Sequence, residues 1–216
     1  MPEDGAAPVG PAVAASPAVS VVIPTRNRAD LLQQAVDSVF AQTVADWELV
    51  IVDDASEDAT PESLARLTDP RVRVIRLEQH AEQSKTRNTG ARAARAPLTL
   101  SLDDDDLLPP GALEAHLDAH RRYPGVIASI GGFVAFDQRG HRRLRRPIRR
   151  ACRRNIWRDV LFGWQAVAGQ CAFRTEALAR IGWWDESFLR VTDQELWARL
   201  SRHGTVALTP AIVLQY

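Results

Sequence analysis

This chain of 216 residues has little of several things that would assign it quickly to a class. Its only cysteines, Cys152 and Cys171, are too few for a disulfide scaffold and lack metal-site spacing, so a reducing compartment is expected. Basic and acidic residues balance at 27 each, so no net charge directs the chain to nucleic acid or to a membrane. No apolar run approaches the roughly 20 residues that a membrane-spanning helix needs.

The first 18 residues are rich in proline and alanine, which predicts a flexible tail. They begin with acidic residues and have no basic n-region, so they are not predicted to be a secretory signal. Residues 19–216 are predicted to form one domain, because 45% apolar and 25% charged residues are ordinary for a soluble globular protein. We therefore expect a cytoplasmic protein.

Strand-like and helix-like segments alternate in the first part of the chain. Short β-branched or apolar runs predict strands at 19–24, 47–54, 71–77 and 98–102. Apolar periodicity and helix-starting residues predict helices at 29–42, 60–67, 84–96 and 110–123. This order predicts an α/β fold with a mainly parallel sheet that helices cover on both faces.

Three polar loops follow strands of this predicted sheet: "PTRNRAD" after the first, "DDASED" after the second and "DDDD" (103–106) after the fourth. In such sheets, ligands bind at the carboxyl ends of the strands. A magnesium-type ion takes one or two carboxylates, together with waters and phosphate oxygens. The alternative is an acidic turn before a helix, whose N-terminus favours negative charge. From the residues alone, the two interpretations are equally good.

The second half of the chain has a less regular pattern. Residues 125–136 predict a strand with a glycine break, and a helix is predicted near 193–203. Most of the tryptophans lie in this half. Trp197 is expected in the core because Leu200 follows it on the same helix, whereas the flat rings of Trp183 and Trp184, next to Asp185, suit a sugar acceptor. His80 is expected to be a surface residue.

Four ordered motifs make the chain resemble the family 2 glycosyltransferases. They are "VSVVIPTRNRADLLQQAVDSVFAQT" with "WELVIVDDASEDAT", then "SKTRNTGARAARAPLTLSLDDDDLLPPGAL", "FRTEALARIGWWDESF" and "VTDQELWARL". The resemblance implies the GT-A fold, a Rossmann-like α/β/α sandwich with a smaller acceptor-side C-terminal part. It implies a nucleotide-sugar-binding half at 19–107 and an acceptor-side half at 108–216. Relatives usually continue past "VALTPAIVLQY", so an acceptor-side half that ends there would be truncated.

The resemblance also implies a donor site. Asp54 matches the residue that hydrogen-bonds the nucleotide base, and Pro24, Thr25 and Asn27 lie in the first nucleotide-contact loop. Arg87 holds the arginine position of an Arg-Asn-x-Gly helix close to the donor.

The acidic loop matches the family's Asp-x-Asp-Asp motif. By the same resemblance, Asp105 is the metal ligand, for Mn²⁺ or Mg²⁺. Asp103 faces the ribose or a metal-bound water, and Asp104 is grouped with it as a nucleotide-sugar contact.

Asp193 matches the catalytic base of the family. A carboxylate at a helix start suits this role, because an acceptor hydroxyl is a poor nucleophile until a base takes its proton. The alternative is that this stretch only begins a helix, since Thr192 and Glu195 have the spacing of a capping box.

Residues 139–154 form an arginine run, with nine arginines in sixteen positions. The run is interpreted either as a solvated loop or hairpin, or as a basic surface for an anionic acceptor or an anionic membrane. Nucleic acid is not expected as a partner, because no aromatic interleaving accompanies the charge.

These observations predict a metal-dependent, inverting glycosyltransferase that moves a sugar from a nucleoside-diphosphate sugar to an acceptor hydroxyl of a glycan, a lipid or a small molecule. A uridine donor is favoured because the family often reads uracil at the Asp54 position. One alternative is a nucleotide-sugar-binding module without catalysis. Another is a nucleotidyltransferase, but that class would have a glycine-rich loop after the first strand, where "PTRNRAD" has no glycine.

Overall fold

The computed structural model describes residues 16–136, 141–164 and 166–216. The first half alternates strands and helices: β1 (Val19–Thr25), α1 (Ala29–Phe40), β2 (Trp47–Asp53), α2 (Thr60–Leu64), β3 (Val72–Arg76), α3 (Glu82–Ala93), β4 (Leu98–Ser101) and α4 (Ala112–Arg122). The second half contains β5 (Ala128–Phe136), β6 (Arg142–Arg146), β7 (Cys152–Arg154), α5 (Trp157–Leu161), a 3₁₀ turn (Ala168–Gln170), β8 (Cys171–Arg174), α6 (Thr175–Arg180), α7 (Thr192–Leu200) and β9 (Val206–Gln215).

One mixed sheet runs through the described part of the chain, in the order β3-β2-β1-β4-β8-β5-β9-β7, with β6 beside β5. The strands β3, β2, β1 and β4 are parallel neighbours, as the alternation of strands and helices predicts. Strand β8 joins them to the second half through antiparallel pairing with β4 and β5. The parallel half therefore places the ends of β2, β1 and β4 side by side.

Both faces of the parallel half are covered by helices. Val21 and Ile23 of β1 belong to one buried cluster with Leu32 and Val36 of α1. On the other face α3 packs so closely that a Cβ on Gly90 would lie 2.3 Å from Val22 Cγ1. The glycine of the Arg-Asn-x-Gly motif is therefore needed for the close approach of helix and sheet.

A second buried cluster lies under the C-terminal half. Trp197 is fully buried there, and its Nε1 donates to the Ala166 carbonyl oxygen at 3.0 Å, so the prediction that it packs in the core is confirmed. Trp184 lies in the same cluster, edge-on to the Phe173 ring with centroids 6.0 Å apart. At 1% exposure its ring is closed to an acceptor, so the structure contradicts its assignment as an acceptor contact.

The arginine run is described from residue 141 onward, and residues 139 and 140 lie outside the described ranges, as do residues 1–15 of the predicted tail. Strand β6 pairs antiparallel with the end of β5, and all five of its residues are exposed. These exposed residues fit the interpretation as a solvated hairpin. No helix of the described residues is long and apolar enough to cross a membrane.

Candidate active site

The loops after β1 and β4 are joined by a hydrogen bond between side chains far apart in the sequence. Thr25 Oγ1, at the end of β1, donates to Asp104 Oδ2 at 2.8 Å. Both residues are buried. Because β1 and β4 are parallel neighbours, the predicted polar loops do meet at one edge of the sheet.

The loop after β1 is also tied to the loop after β2. Asn27 N–H donates to Ser56 Oγ at 2.9 Å, and Asn27 Oδ1 accepts from the backbone N–H of Glu57 at 2.8 Å. Asn27 and Ala55 both have left-handed backbones, with φ of 54° and 55°. This conformation is costly for Ala55 and milder for Asn27, since asparagine adopts it more readily, and such residues concentrate at functional sites. Asn27 therefore shapes the loop, which is a different contribution from direct ligand contact.

Asp54 is held at the end of β2 by the loop before α3. Its Oδ1 accepts from the Ala81 backbone N–H and its Oδ2 pairs with His80 Nδ1, both at 2.7 Å. The Asp54 side chain is 6% exposed, whereas that of His80 is 40% exposed and lines the same cavity. His80 is exposed, as expected of a surface residue, but its ring also holds the carboxylate that is predicted to read the nucleotide base.

Each aspartate of the acidic loop has a different environment. Asp104 is bound by Thr25 and by Arg28 Nη1 (3.0 Å), while burial raises its pKa. Asp105 is 47% exposed and accepts from the same Arg28 Nη1 at 2.8 Å. Burial, together with the charges of Asp103 and Asp105, raises the pKa of Asp106 to about 8. The four carboxylates therefore differ in exposure and in partners, and the inward-facing Asp104 serves as an anchor of the loop.

Arg87 connects the acidic loop with the start of α7. Its side chain is 3% exposed, and its Nη2 donates to Asp103 Oδ1 at 2.6 Å. Its Nη1 donates at 3.3 Å both to Asp193 Oδ1 and to Thr192 Oγ1. Burial by itself would lower the pKa of Arg87, but the charges of Asp103 and Asp193 outweigh it and raise that pKa. The motif arginine is thus a buried cation that joins two carboxylates.

Asp193 is fixed from both sides. One carboxylate oxygen pairs with Arg87, and the other accepts from the Ala168 backbone N–H at 2.9 Å. Thr192 begins α7 without capping it, because its hydroxyl accepts from Arg87, and Glu195 pairs with Arg199. The capping-box alternative for this stretch is therefore wrong, and the Asp193 side chain keeps 22% of its surface exposed.

Two cavities meet at the acidic loop. The smaller, about 360 Å³, is lined by Pro24, Thr25, Asp54 and His80. The larger, about 950 Å³, is lined by Gln34, Phe136, Tyr216 and Asp193 among others. Asp103 and Asp105 line both cavities, so a molecule that spans them would pass directly over these two carboxylates.

The three residues predicted as acceptor contacts lie elsewhere. Trp183 is half-buried with φ of 68°, and Trp184 is in the core. Asp185 is exposed and binds the backbone and hydroxyl of Ser187. None of the three is among the residues that line the two cavities. Asn88 explains this arrangement, because its side-chain amide bonds both the N–H and the carbonyl of Trp184 and anchors the segment.

A cation would find few protein ligands here. Among the residues that the structure describes, no group of three or more histidine, cysteine, aspartate or glutamate side chains is arranged to hold a metal ion. The half-exposed Asp105, with Asp103 beside the same cavities, nevertheless fits an Mg²⁺-like ion, which takes one or two carboxylates and completes its shell with water and phosphate oxygens. The residues present are therefore compatible with such an ion when a phosphate ligand is also bound.

Sequence reasoning missed Arg28, which contacts two of the four aspartates. Its position in "PTRNRAD" gives no periodic or spacing signal, and Arg26 two positions earlier has the same chemistry. The contact of the exposed His80 with Asp54 was missed for the same reason. Only the folded chain shows which arginine and which histidine of these loops turn toward the acids.

Comparison with known proteins supports the predicted family. The sequence model of the family described as "Glycosyl transferase family 2" matches residues 20–182. The succinoglycan biosynthesis protein ExoO of Rhizobium meliloti (strain 1021) is 39% identical over 108 residues, which are 50% of this chain and 31% of ExoO. This chain thus spans about a third of that curated relative.

Solved structures support the fold. S. aureus TarS 1-349 in complex with UDP-GlcNAc has a TM-score of 0.76 at 18% identity, over 92% of this chain and 58% of that one. The mannosyltransferase PcManGT from Pyrobaculum calidifontis, in complex with GDP-Man and Mn²⁺, has a TM-score of 0.65 at 22% identity, over 90% of this chain and 57% of that one. The predicted GT-A fold is confirmed. Since the family match covers most of the chain, the protein belongs to glycosyl transferase family 2.

Proposed function

We propose that this protein is an inverting, metal-dependent glycosyltransferase that moves a sugar from a nucleoside-diphosphate sugar to an acceptor hydroxyl. The observation that carries the proposal is the junction at Arg87. One buried guanidinium binds Asp103, which lines both cavities, and Asp193, which lines the larger one. A single arginine would thus contact both a carboxylate of the donor site and the proposed base of the acceptor site.

The donor nucleotide is assigned to the smaller cavity. A carboxylate such as that of Asp54 accepts hydrogen bonds, so it would pair with an N–H of the base. Pro24 and Thr25 line the same space, and Asn27 holds the loop that contains them. A uridine nucleotide is favoured, in keeping with the UDP-GlcNAc held by TarS, and guanosine or thymidine donors are the alternatives.

The cation would be held by Asp105, with Asp103 beside it. The Mn²⁺ present with GDP-Man in PcManGT supports a divalent ion in this fold. When bound, such an ion would neutralise the charge that develops on the leaving diphosphate. Asp104 would not touch the ion, because its side chain is only 7% exposed and is turned toward Thr25 and Arg28.

Asp193 is proposed as the general base. Its carboxylate lines the larger cavity, and its two anchors leave part of it exposed to an incoming hydroxyl. Arg87 and the Ala168 N–H keep it oriented. Inversion of the anomeric centre requires attack from the side opposite the leaving diphosphate, and the larger cavity lies across Asp103 and Asp105 from the smaller one.

The acceptor is proposed to be a glycan, a lipid or a small molecule with a free hydroxyl. It would bind in the larger cavity beside Phe136 and Tyr216, in place of the predicted Trp183, Trp184 and Asp185. A cytoplasmic location, with contact of the arginine run at a membrane surface, stays a prediction. The alternative function as a non-catalytic binding module is disfavoured by the exposed, oriented carboxylate of Asp193, which binding of a donor would not need.

A thermal-shift titration tests the proposal. UDP at about 100 times its Kd, with Mn²⁺, should raise the midpoint of unfolding by about 5–10 °C, because a ligand that binds only the folded chain stabilises it. Asp105→Asn should remove the Mn²⁺-dependent part of the shift, whereas Asp37→Asn on the outer face of α1 should not. An Asp105→Asn variant with an unchanged Mn²⁺-dependent shift would remove the metal assignment. Release of UDP from UDP-sugar only when an acceptor is added would separate transfer from simple binding.

A further inference from the structure

Arg28 lies between the first loop and the acidic loop, directly before α1. Its Nη1 donates to Asp104 Oδ1 at 3.0 Å and to Asp105 Oδ2 at 2.8 Å. The coulombic attraction of Asp104 is the main cause that raises the pKa of Arg28. Its side chain is 49% exposed, and it lines the smaller cavity. The Arg28 guanidinium thus already binds Asp105, which is the carboxylate proposed above to hold the metal ion.

The two ion pairs of Arg28 differ in how firmly they are held. Asp104 is 7% exposed and is also held by Thr25, so this contact is anchored. Asp105 is 47% exposed, and such a solvent-exposed ion pair contributes little stability and exchanges readily. A divalent cation that takes Asp105 Oδ2 would repel the guanidinium and displace it from that oxygen. Asp104 would keep the displaced Arg28 within the cavity.

A displaced Arg28 needs a new anionic partner. The diphosphate of a nucleotide in the smaller cavity offers one, and the planar guanidinium fork suits phosphate oxygens better than an ammonium does. The same cavity contains both Arg28 and Asp105, so the exchange requires only a change of side-chain rotamer.

We propose that Arg28 is a positioning residue that competes with the divalent cation for Asp105 and, when the cation displaces it, transfers to the donor diphosphate. This inference rests on the proposed function. Arg28 would thereby couple the binding of the cation to the binding of the nucleotide. This role does not follow from its charge alone or from its place in the cavity wall.

Coupling has a thermodynamic consequence that can be measured. Displacing Arg28 from Asp105 costs free energy when no diphosphate is present. A bound diphosphate offsets this cost, because it accepts the guanidinium. Cation and nucleotide must therefore strengthen each other's binding by the same factor. Removing the guanidinium should raise the affinity for the cation alone, lower the affinity for the nucleotide alone and shrink the coupling factor.

The experiment titrates the full chain with Mn²⁺ and counts free Mn²⁺ by electron paramagnetic resonance, with and without UDP. Relative to the wild type, Arg28→Gln should bind Mn²⁺ alone about 5-fold more tightly, and its coupling factor with UDP should be about 5-fold smaller, because only the direct bonds between the ion and the phosphate oxygens would remain. Arg28→Lys should retain the competition but recover only part of the UDP affinity, since an ammonium lacks the fork. Arg26→Gln removes the same charge from the same cavity, and among the described residues Arg26 makes no ion pair with the acidic loop. Its Mn²⁺ affinity without nucleotide should equal that of the wild type.

The outcomes are distinguishable. Equal Mn²⁺ affinity and equal coupling in the wild type and Arg28→Gln, with UDP binding intact in both, would overturn this inference and leave the proposed function standing. Equal changes in Arg26→Gln and Arg28→Gln would also overturn it, because the effect would then be one of general charge. If the wild type binds no UDP with or without Mn²⁺, the proposed function fails and the inference fails with it. Urea unfolding of each variant confirms that its fold is retained.

Discussion

Arg87 and Asp193 form an ion pair, with 3.3 Å between Nη1 and Oδ1, that joins α3 to the first turn of α7. The same guanidinium holds Asp103 at 2.6 Å. The arginine is nearly inaccessible, whereas the two acids keep a third and a fifth of their surfaces exposed. A buried positive charge thus orients one carboxylate that lines both cavities and one that lines the larger cavity.

Removal of Arg87 should damage stability and transfer together. We expect Arg87→Ala to lower the free energy of unfolding by about 3 kcal/mol, because both carboxylates lose the partner that compensates their partial burial. Arg87→Lys should recover part of this stability but little transfer, since one ammonium does not reproduce the two-sided fork. Urea unfolding and the turnover number measure the two effects. A stable Arg87→Ala variant with normal turnover would contradict this role.

Asp193→Asn should separate binding from chemistry. The amide keeps the shape and the acceptor for the Ala168 N–H, so the Kd for UDP should change little. Loss of the general base should lower kcat by about 10²–10⁴-fold. Asp185→Asn, at an exposed position nearby in the sequence, serves as the matched control and should transfer normally. A turnover number near that of the wild type in Asp193→Asn would exclude it as the base.

His80 should affect nucleotide binding through Asp54. In His80→Ala the Asp54 carboxylate loses the contact at Oδ2 and keeps only the Ala81 N–H, so its orientation toward the base is less fixed. We expect about 10-fold weaker binding of UDP, equivalent to the loss of a hydrogen bond to a charged group. Isothermal titration calorimetry measures the change, with Gln83→Ala in the same cavity as control. Unchanged UDP affinity would show that the contact of His80 with Asp54 does not contribute to nucleotide binding.

Glu82 begins α3 with a left-handed backbone at φ of 63°. Glycine tolerates this conformation, so Glu82→Gly should raise the free energy of unfolding by about 0.5–1 kcal/mol. The carboxylate is 59% exposed and its nearest contact with His80 is 3.4 Å, so its loss should cost little. Glu82→Ala keeps the Cβ and should give no gain. Urea midpoints of the two variants provide the comparison, and equal midpoints would mean that the backbone is not strained.

His116 should make the protein sensitive to acid. Full burial, with a smaller effect from His120, lowers the pKa of His116 to about 3, so the folded chain holds it neutral. The unfolded chain takes up a proton near pH 6.5, and this contribution to stability is therefore complete above that pH and is lost as the pH falls toward 3. Between pH 8 and pH 4.5 it amounts to about 2–3 kcal/mol.

The control for this pH dependence is a histidine at the surface. His116→Gln should flatten the fall in stability between pH 6.5 and 4.5, whereas His203→Gln, at an exposed position, should not. Urea unfolding at a series of pH values measures both. A slope that is equal in His116→Gln and in the wild type would show that another group causes the loss.

Several strands of the second half could not be predicted from the local pattern. Strand β6 consists of exposed arginines and one leucine, so it has no apolar alternation to read. In β9, Pro210 would argue against a strand, but the pairing with β5 skips from Leu208 to Ile212 and leaves the proline without a ladder partner. Such strands form by pairing with a neighbouring strand that is distant in the sequence. A short window of sequence therefore does not predict them.

The predicted glycine break in β5 illustrates the same limit. The strand runs on through the two glycines, but its register against β9 shifts there, and a Cβ on Gly131 would lie 2.4 Å from a methyl group of Val213 in that strand. The glycine is thus a requirement of close packing across the sheet, while in the sequence it resembles a turn signal.

The sequence by itself determined the parallel half of the sheet, its order of strands and helices, and the set of acidic loops at one edge, because apolar periodicity and strand-end chemistry are local properties. It also carried the four motifs of the family. Only the tertiary structure decided which of these polar residues face one another. Thr25 hydrogen-bonds Asp104, Arg28 pairs with Asp105 and His80 pairs with Asp54. Asn88 hydrogen-bonds the backbone of the buried Trp184. Each of these pairs depends on contacts between segments distant in the chain, and so on the packing of the whole domain.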